Sequence, residues 1–488
     1  MVSLAKTKTK SYVLTLKLKT ELWQAYILEK RFEIGRKIYN ACLGELLKRH
    51  KKLQHDKQYR HLAQQPKSKE RNNLLNELYR QYGINEYAMH DFVKPMQHHF
   101  KKHIDSHTAQ KIATRAWMAM EKLIFGNTKK VSFKKYNDMD SLEGKTNSAG
   151  IRFKNKHLLW NGLSIPVIIH PNDIYAHLAL QDRIKYCRIV RRRIRGKIKY
   201  FLQLTLGGVP PKKINRQTGE IKHPMGQGDV GIDIGTQTVA ICSMNNVKLL
   251  ILAPSVENIE KQKRVLQRKL DRQRRANNPH KYNEDGTIKK DNKEKWVWSK
   301  NYLKTRQQLA ELQRKMAEKR KQDHQRLANW IITLGHHIQV EKMNFRALQA
   351  KAKETKVDAN GKHKKKKRFG KSIANRAPSL FLNILNQKLQ YEGYSLQYID
   401  TFRVKASQYD HQNDEYNKKT LSQRWHEVDG RRVQRDLYSA FLIMNVKDNR
   451  KEIDRHKCLE RWDQFIRLHD EEIKRLRLHP YVVSSMGI

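Results

Sequence analysis

The chain has 488 residues, and its 101 Lys and Arg residues outnumber its 48 Asp and Glu residues to give a formal net charge of +53. A compact chain this basic repels itself, so we expect a bound polyanion. The basic residues are spread along almost the whole length, which favours a wrapped nucleic acid over a flat membrane surface. No apolar run approaches the ~18 residues that span a bilayer, and residues 1–10 lack the apolar core of a secretion signal. The length predicts two to four domains, and a hydrophobic content of 38% excludes global disorder.

The cysteines argue against a zinc ribbon. Cys42, Cys187, Cys242 and Cys458 all lie more than four residues apart, so the chain has no Cys-x-x-Cys pair. The first three lie in apolar patterns and are predicted to fill cores as small hydrophobic residues. This usage fits a reducing, cytoplasmic location.

The N-terminal part predicts one strand followed by a helical block. Residues 11–20 alternate between Leu and polar side chains, which indicates a half-buried strand. Thr20 is predicted to cap a long helix that runs to about His50, and further helices are predicted over Arg71–Tyr82 and Thr108–Leu123.

From about Lys130 to Gly208 the apolar period changes to two, which predicts a β region. We expect that the N-terminal strand joins this region in a β-barrel into which the helical block is inserted. The predicted strands are Lys130–Lys134, Gly150–Phe153, Leu158–Trp160, Ile165–Ile169, Ile184–Ile194 and Lys197–Leu206.

The last two strands predict a hairpin around Arg195-Gly196 that carries many cations. Such a hairpin is either a solvated, Lys-rich edge that prevents aggregation or a contact for a phosphate backbone. We favour the phosphate contact because so many guanidinium groups lie close together. The candidate nucleic-acid-binding residues are Arg191, Arg192, Arg193, Lys197 and Lys199.

The C-terminal part predicts strands and helices in the succession of a ribonuclease-H-like α/β domain. A polar linker leads to three strands, two long basic helices, a strand, a helix, a strand and a late helix. The two long helices are predicted to pair as a hairpin, which is more often scaffold than binding surface, although its exposed face is dense in Lys and Arg. Lys351–Lys371 is predicted to be a loop. The ordered elements are predicted over Val230–Ile234, Val239–Cys242, Lys248–Leu252, Ile259–Ala276, Trp298–Trp330, His337–Glu341, Ser379–Gln390, Ser395–Ile399 and a helix from Gln434.

Three carboxylates fall at informative places in this succession. Asp233 lies in the middle of an apolar strand, where an ionised acid is costly unless it is paired. Glu341 ends the fourth strand, and Asp436 begins the late helix, with Ala440 one turn on and small enough to let that helix press against the sheet. In an open α/β sheet the strand ends and adjoining helices converge on one site.

Three carboxylates within about 5 Å repel one another unless a cation neutralises them, and hard oxygen ligands select Mg²⁺ or Mn²⁺. Two such ions can flank a scissile phosphodiester, lower the pKa of an attacking water and stabilise the leaving oxygen. Each acid alone also has a structural explanation. Together they favour a metal-dependent phosphodiesterase.

Three motifs resemble those of a known family. They are Gly231-Ile232-Asp233-Ile234-Gly235, Val340-Glu341-Lys342-Met343-Asn344 and Arg435-Asp436-Leu437-Tyr438-Ser439-Ala440. In order, they are similar to the three RuvC motifs of the TnpB family, transposon-encoded RNA-guided DNA nucleases ancestral to compact type V CRISPR effectors. The element order before residue 227 and the stretch Leu421-Ser422-x-Arg424-Trp425 resemble the same family.

The resemblance implies that Asp233, Glu341 and Asp436 form a catalytic triad that binds two Mg²⁺ or Mn²⁺ ions. It also implies a guide RNA, a double-stranded DNA target read beside a short motif, and a protein that is a monomer in complex with RNA. The implied domains are a wedge barrel at 1–20 and 129–226, a helical recognition domain at 21–128, a RuvC-like nuclease domain at 227–400 and 434–488, and a target-binding insertion at 401–433.

The sequence departs from the family pattern in the insertion, where many relatives carry the four cysteines of a zinc ribbon. Asp410, His411, His426 and Asp429 are a poor structural zinc set, so we expect no structural zinc and an insertion held by its own packing. The third motif also has Gln434 and Tyr438-Ser439 where relatives have Asp and Asn.

Two alternatives to an RNA-guided nuclease stay open at this point. A guide-free RuvC-like resolvase or transposase would use the same carboxylates. A nuclease-inactive RNA-guided DNA binder would retain the acids without their catalytic geometry.

Overall fold

The computed structural model describes residues 9–126, 128–289, 291–350, 354, 357, 369–418, 420, 423–478 and 486–488. Most of the predicted loop Lys351–Lys371, and the pair Leu421-Ser422, lie outside these residues. The chain divides into two compact units, Met1–Lys212 and Lys213–Ile488. No helix within the described part of the chain is long and apolar enough to cross a membrane.

The first unit combines a sheet with a helical block inserted after its first strand. Its elements in chain order are β1 (Ser11–Leu18), α1 (Leu22–Gln54), α2 (Lys57–Gln64), α3 (Lys69–Gln81), α4 (Glu86–Phe92), α5 (Lys94–His99), α6 (Ser106–Ile124), β2 (Ser141–Glu143), β3 (Arg152–Lys154), β4 (His157–Trp160), β5 (Leu163–Ile168), α7 (Ile174–Ala179), β6 (Ile184–Ile194) and β7 (Lys197–Gly207).

The sheet of this unit has seven strands in the order β2-β6-β7-β1-β5-β4-β3, and every pair is antiparallel. The N-terminal strand joins this sheet, as predicted, and lies at its centre. Its buried residues alternate strictly with exposed ones. Among the described strands no hydrogen-bonded ladder joins the edge strands β2 and β3, so closure into a barrel stays a prediction.

Two local predictions for this unit are wrong. The predicted strand Lys130–Lys134 does not form, because the backbone N–H and C=O of Lys134 bond the side chain of Asn40 on α1 instead of a neighbouring strand. Thr20 does not cap α1. Glu21 is the N-cap, and its backbone N–H donates to the side chain of Gln24 at 3.0 Å in a capping box.

The second unit contains an α/β sheet and two small hairpins. Its strands and helices in chain order are β8 (Asp229–Ile234), β9 (Thr238–Ser243), β10 (Asn246–Ile251), α8 (Glu257–Asn277), α9 (Lys300–Leu334), β11 (His337–Glu341), α10 (Phe345–Leu348), α11 (Gly370–Arg376), α12 (Pro378–Tyr391), β12 (Gln397–Ile399), α13 (Thr401–Val404), β13 (Tyr409–Asp410), β14 (Glu415–Tyr416), β15 (Trp425–Val428), β16 (Arg431–Gln434), α14 (Arg435–Met444) and α15 (Arg455–Arg477).

The strand order of this sheet is β10-β9-β8-β11-β12. The first three strands form an antiparallel meander, and β11 and β12 continue the sheet in parallel with β8. The predicted strands and helices of this unit are confirmed, with bounds that differ by a few residues.

Side-chain alternation gives the sheet two different buried faces. Val230, Ile232 and Val340 pack with residues of α9 and α12 on one face. Ala240 and Cys242 pack with α14 and α15 on the other. Cys42, Cys187 and Cys242 are buried and unbridged, which confirms the prediction that they fill cores, and Cys458, for which no prediction was made, is buried as well.

Candidate active site

Asp233 and Glu341 lie side by side on adjacent parallel strands. In the register of β8 and β11, Ile232 is the partner of Val340, so the next residue on each strand is one of the two acids. Because Ile232 and Val340 point into the face covered by α9 and α12, strand alternation directs both acids to the opposite face. Neighbouring strands are about 4.8 Å apart, so the two carboxyl groups share one small region of that face.

Helix α14 brings the third acid to the same face. Gly231 lies two residues before Asp233, and a Cβ there would overlap the carbonyl oxygen of Ala440 and the backbone nitrogen of Met444. The helix backbone therefore rests directly on the strand, as the small Ala440 predicted. Asp436 lies one turn before Ala440, in the first turn of α14. The predicted convergence of these elements is what the geometry shows.

The three acids lie close enough for the charges of Asp436 and Glu341 to affect Asp233. Burial raises the pKa of Asp233 well above its ordinary value, and the negative charges of Asp436 and Glu341 raise it further. Burial also raises the pKa of Glu341. Arg435 and Arg424 act in the opposite direction on Asp233, but their effect is smaller. Asp233 and Glu341 therefore bind protons more strongly than isolated carboxyl groups do.

Asp436 is held by two guanidinium groups. Nε and Nη2 of Arg435 donate to Oδ1 of Asp436 at 3.1 and 3.0 Å, and Nη1 of Arg424 lies 3.6 Å from Oδ2. Arg435 also donates to the carbonyl oxygen of Gln423 at 3.2 Å, so this side chain is fixed on both sides. The negative charge of Asp436 is thus partly neutralised by residues of the chain itself.

The donor set fits a hard divalent cation in its chemistry, since three carboxylates supply only oxygen ligands. Burial and the two neighbouring acids raise the pKa of Asp233, and a bound cation would offset both effects. In the described part of the chain, however, no group of three His, Cys, Asp or Glu side chains is arranged to hold a metal ion. Asp436 is paired with Arg435 and Arg424 instead.

The basic hairpin β6–β7 divides into buried and exposed cations. Arg191 is only 5% exposed, and its guanidinium bonds Glu29 at 2.5 Å and the carbonyl oxygens of Asn137 and Met139 at 3.0 Å each. The prediction that Arg191 contacts nucleic acid is corrected, because its guanidinium N–H groups bond groups inside the first unit.

The other four predicted cations of the hairpin are exposed. Arg192 lies opposite Lys199 in the register of β6 and β7, and its guanidinium stacks over Phe201 with 4.9 Å to the ring centroid. The turn at Arg195-Gly196 has positive φ at both residues, as a tight two-residue hairpin requires. A nucleic-acid contact is therefore retained for Arg192, Arg193, Lys197 and Lys199.

The insertion before α14 is built around aromatic rings. His411 Nδ1 lies 2.7 Å from the hydroxyl oxygen of Tyr438, and its ring lies 4.7 Å from that of Trp462. The ring of His426 packs on Tyr438 at 5.1 Å, and Trp462 Nε1 donates to Asp429 at 3.3 Å. Three of the four residues considered as a weak zinc set, His411, His426 and Asp429, therefore contribute to a packed aromatic cluster.

Three features of the site were not found by sequence reasoning. Gly231 was assigned no role, although a glycine inside a strand often marks a close backbone approach. Arg424 and Arg435 were not linked to Asp436. Gln434 looked like a loss relative to the family motif, yet its side chain caps α14 by accepting the backbone N–H of Leu437 at 2.8 Å.

No protein-family model matches the chain, and no curated protein matches it. Among solved structures, the chain is similar to the protein in a cryo-EM structure of a Cas12f1–sgRNA–target DNA complex, with a TM-score of 0.44 and 10% sequence identity over 88% of this chain and 98% of that chain. It is also similar to the protein in a cryo-EM structure of a CRISPR-Cas12f ternary complex, with a TM-score of 0.28 and 12% identity over 87% of this chain and 82% of that chain.

Proposed function

We propose that this protein is an RNA-guided, divalent-metal-dependent DNA endonuclease with a single RuvC-like active site. The observation that carries the proposal is that Asp233, Glu341 and Asp436 lie around one face of the sheet. The negative charges of Glu341 and Asp436 raise the pKa of Asp233. The net charge of +53 supplies the attraction for nucleic acid. The guide RNA and the double-stranded DNA target are implied by the motif resemblance to the TnpB family.

The strand order of the second unit supports the finer fold assignment. Three strands that form an antiparallel meander are followed by two parallel strands, and the order of strands and helices agrees with the succession expected for a ribonuclease-H-like domain. We extend the proposal to the domain boundaries implied by the resemblance, with the wedge barrel in two parts around the helical recognition domain. Association with a transposon or with a CRISPR array gives the same chemistry at this site. We further propose a monomer in complex with RNA, located in a prokaryotic cytoplasm.

Asp233, Glu341 and Asp436 would hold Mg²⁺ or Mn²⁺, in two sites. A bound divalent cation would stabilise negative charge at a phosphodiester and lower the pKa of a water. Asp233 has to lose its proton before it can serve as a ligand, so metal binding competes with protonation. The side chains of Arg424 and Arg435, which contact Asp436, would lie beside the bound ion, where guanidinium groups can also bind phosphate oxygens.

The test is purification with bound RNA, sequencing of that RNA, and incubation with a matching DNA target in Mg²⁺. We expect cutting that follows the RNA sequence in the parent and no cutting in Asp233→Ala, which retains DNA binding. Asp400→Ala is a matched control, because this partly buried carboxylate lies in the same unit, caps α13 and lies 3.9 Å from Arg403. Cutting by Asp233→Ala at the parent rate would refute the triad.

One observation favours a second function, RNA-guided DNA binding without cleavage. Asp436 already has two arginine partners, and the described residues contain no preformed three-ligand metal group. If the parent binds its target tightly but cuts nothing in either Mg²⁺ or Mn²⁺, this second function replaces the first.

A further inference from the structure

The tip of the long helical hairpin carries an ordered set of aromatic rings. Trp296, Trp298 and Tyr302 lie where the connection from α8 enters α9, and we call these three residues the tip ladder. The rings of Trp296 and Trp298 are 5.7 Å apart with planes only 9° from parallel. Those of Trp298 and Tyr302 are 4.6 Å apart at 20°. Trp298 is nevertheless 39% exposed and the adjacent Val297 is 59% exposed. The ladder thus presents apolar ring surface to the outside.

Two buried polar residues fix the backbone beneath the ladder. The side chain of Asn278 accepts the N–H of Val297 at 2.7 Å and donates to its carbonyl oxygen at 2.9 Å. Lys281 is 1% exposed and donates to Asn292 at 3.0 Å and to the carbonyl oxygen of Glu294 at 2.5 Å. The rings are therefore held in place before anything binds, which lowers the entropy lost on binding.

Cations surround the ladder. Arg274 and Lys281 lie over the ring of Trp296, at 5.8 and 5.2 Å from its centroid. The acids of the same connection are partly engaged, since Glu294 pairs with His280 at 2.8 Å and Asp285 bonds Thr287. The lysines of the connection that are described and exposed are Lys289, Lys293, Lys295 and Lys300.

Rings with exposed faces beside cations are the combination that binds single-stranded nucleic acid, because bases stack on the rings and phosphates contact the lysines. Charged side chains outnumber apolar ones around this patch, which argues against a protein as the partner. We propose that the tip ladder stacks an unpaired base of a single-stranded segment, with Lys293 and Lys295 contacting the flanking phosphates. This inference rests on the proposed function for its polyanion partner, but not on the carboxylate site.

The purely structural explanation is that the ladder only stiffens the hairpin tip. The two explanations differ in what they predict for paired and unpaired nucleic acid. A stacking role requires an accessible base face, which a closed duplex does not offer. A stiffening role would change binding of single strands and duplexes alike.

The experiment measures equilibrium binding of the full chain to a uridine homopolymer, a thymidine homopolymer and a blunt duplex, all in EDTA over a salt series. For Trp298→Ala we expect about tenfold weaker binding of one of the two homopolymers, the one whose bases stack on the ladder. Binding of the duplex should be unchanged. The slope of log K against log salt should stay the same, because no phosphate contact is removed. Trp298→Phe keeps a ring and should bind within about twofold of the parent. The difference between the two homopolymers identifies whether RNA or DNA is stacked.

Two further measurements complete the test. The double variant Lys293→Ala/Lys295→Ala should reduce the salt slope for single-strand binding by about 1.4, because each phosphate contact on a single strand contributes about 0.7. Ultraviolet cross-linking of a 5-iodouridine or 5-iodo-deoxyuridine oligonucleotide should attach it to the peptide that contains Trp296 and Trp298. Trp23→Ala, a 52% exposed tryptophan of the first unit, is the control for loss of a surface ring.

Equal loss of single-strand and duplex binding in Trp298→Ala would overturn the proposal in favour of a structural role, and unchanged single-strand binding would overturn it outright. These outcomes are separate from the nuclease test. If Asp233→Ala abolishes cutting while Trp298→Ala binds like the parent, only the ladder inference fails. If the ladder cross-links but the parent cuts nothing in Mg²⁺ or Mn²⁺, only the nuclease fails.

Discussion

Gly231 and Asp233 lie on the same face of β8, two residues apart, and together they place the catalytic candidates. Gly231 has no side chain, so the backbone of α14 rests on the strand at Ala440 and Met444. That contact sets the depth of the helix and therefore the height of Asp436 above Asp233. The glycine is part of the site although it carries no chemistry.

Gly231→Ala is expected to destabilise the second unit and abolish cutting. The added Cβ would overlap backbone atoms of α14, which cannot move aside as the end of a flexible side chain can. Overpacking of this kind costs about 1–3 kcal/mol, or more where backbone has to move. Chemical denaturation followed by tryptophan fluorescence checks the stability, and target cutting checks the function.

Gly44→Ala is the control for this substitution. Gly44 lies inside α1, and a Cβ there would meet only the ring of Phe133 at 3.7 and 3.9 Å, which is ordinary contact. Since alanine is the better helix former by about 0.5–1 kcal/mol, this variant should be as stable as the parent or slightly more stable. A Gly231→Ala protein with parent stability would show that α14 does not press on β8.

The sequence predicted the sheet and the positions of the three acids because these depend on local patterns. Apolar runs of β length around Asp233 and Glu341, and Ala440 one turn after Asp436, are readable from composition and spacing alone. The arginine partners of Asp436 could not be predicted from the sequence. Arg424 reaches Asp436 because the β15–β16 hairpin places it there. The fold of that hairpin depends on the packing of His411, His426 and Tyr438, which no local pattern shows. The burial of Arg191 was not predicted from the sequence. Side chains on a strand alternate between its two faces, and a buried arginine needs an acidic partner. That partner is Glu29 on α1, which is distant in the sequence.

Asp233→Asn is expected to stabilise the metal-free protein at neutral pH. Its pKa in the folded state is raised by burial and by Asp436 and Glu341, so the folded state binds this proton more tightly than the unfolded state. Stability from this group is therefore present at acidic pH and lost as pH rises through the folded pKa. The amide removes that loss, and the unfolding midpoint of the variant should exceed that of the parent at pH 7 in EDTA.

Asp229→Asn, on the same strand, should have the opposite effect. Burial acts to raise the pKa of Asp229, but bonds to His337 and Arg461 at 2.8 and 3.2 Å outweigh it and hold the pKa below its ordinary value. Its stabilising contribution is present above the ordinary carboxyl range and is lost as pH falls. If both variants shift the midpoint in the same direction, the assigned charge environment of Asp233 is wrong.

Arg424→Gln is expected to tighten binding of Mn²⁺ to the acid site. Arg424 lies 3.6 Å from Asp436 and competes with a metal ion for the same carboxylate. Its loss should lower the dissociation constant for Mn²⁺ several-fold, as measured by isothermal titration without nucleic acid. Arg432→Gln is the matched control, because this exposed arginine of the same hairpin stacks over Trp425 at 5.1 Å. Weaker Mn²⁺ binding in Arg424→Gln would show that the arginine supports the metal site and does not compete with it.

The aromatic cluster of the insertion predicts acid sensitivity without zinc. Burial lowers the pKa of His411 to about 4, against which Asp410 and Asp429 act only weakly. The unfolded state therefore binds this proton more readily, and stability from neutral His411 is present above about pH 6.5 and is lost as pH falls toward 4. His411→Phe keeps a ring among Tyr438, Phe441 and Trp462, so the free energy of unfolding should fall less steeply below pH 6.5, by about one bound proton. His456→Gln is the control, because it removes an exposed histidine of α15 that is not part of the cluster.

A zinc chelator should leave the unfolding midpoint of the parent unchanged. A chelator-induced drop would show that a metal, not the rings, holds the insertion together.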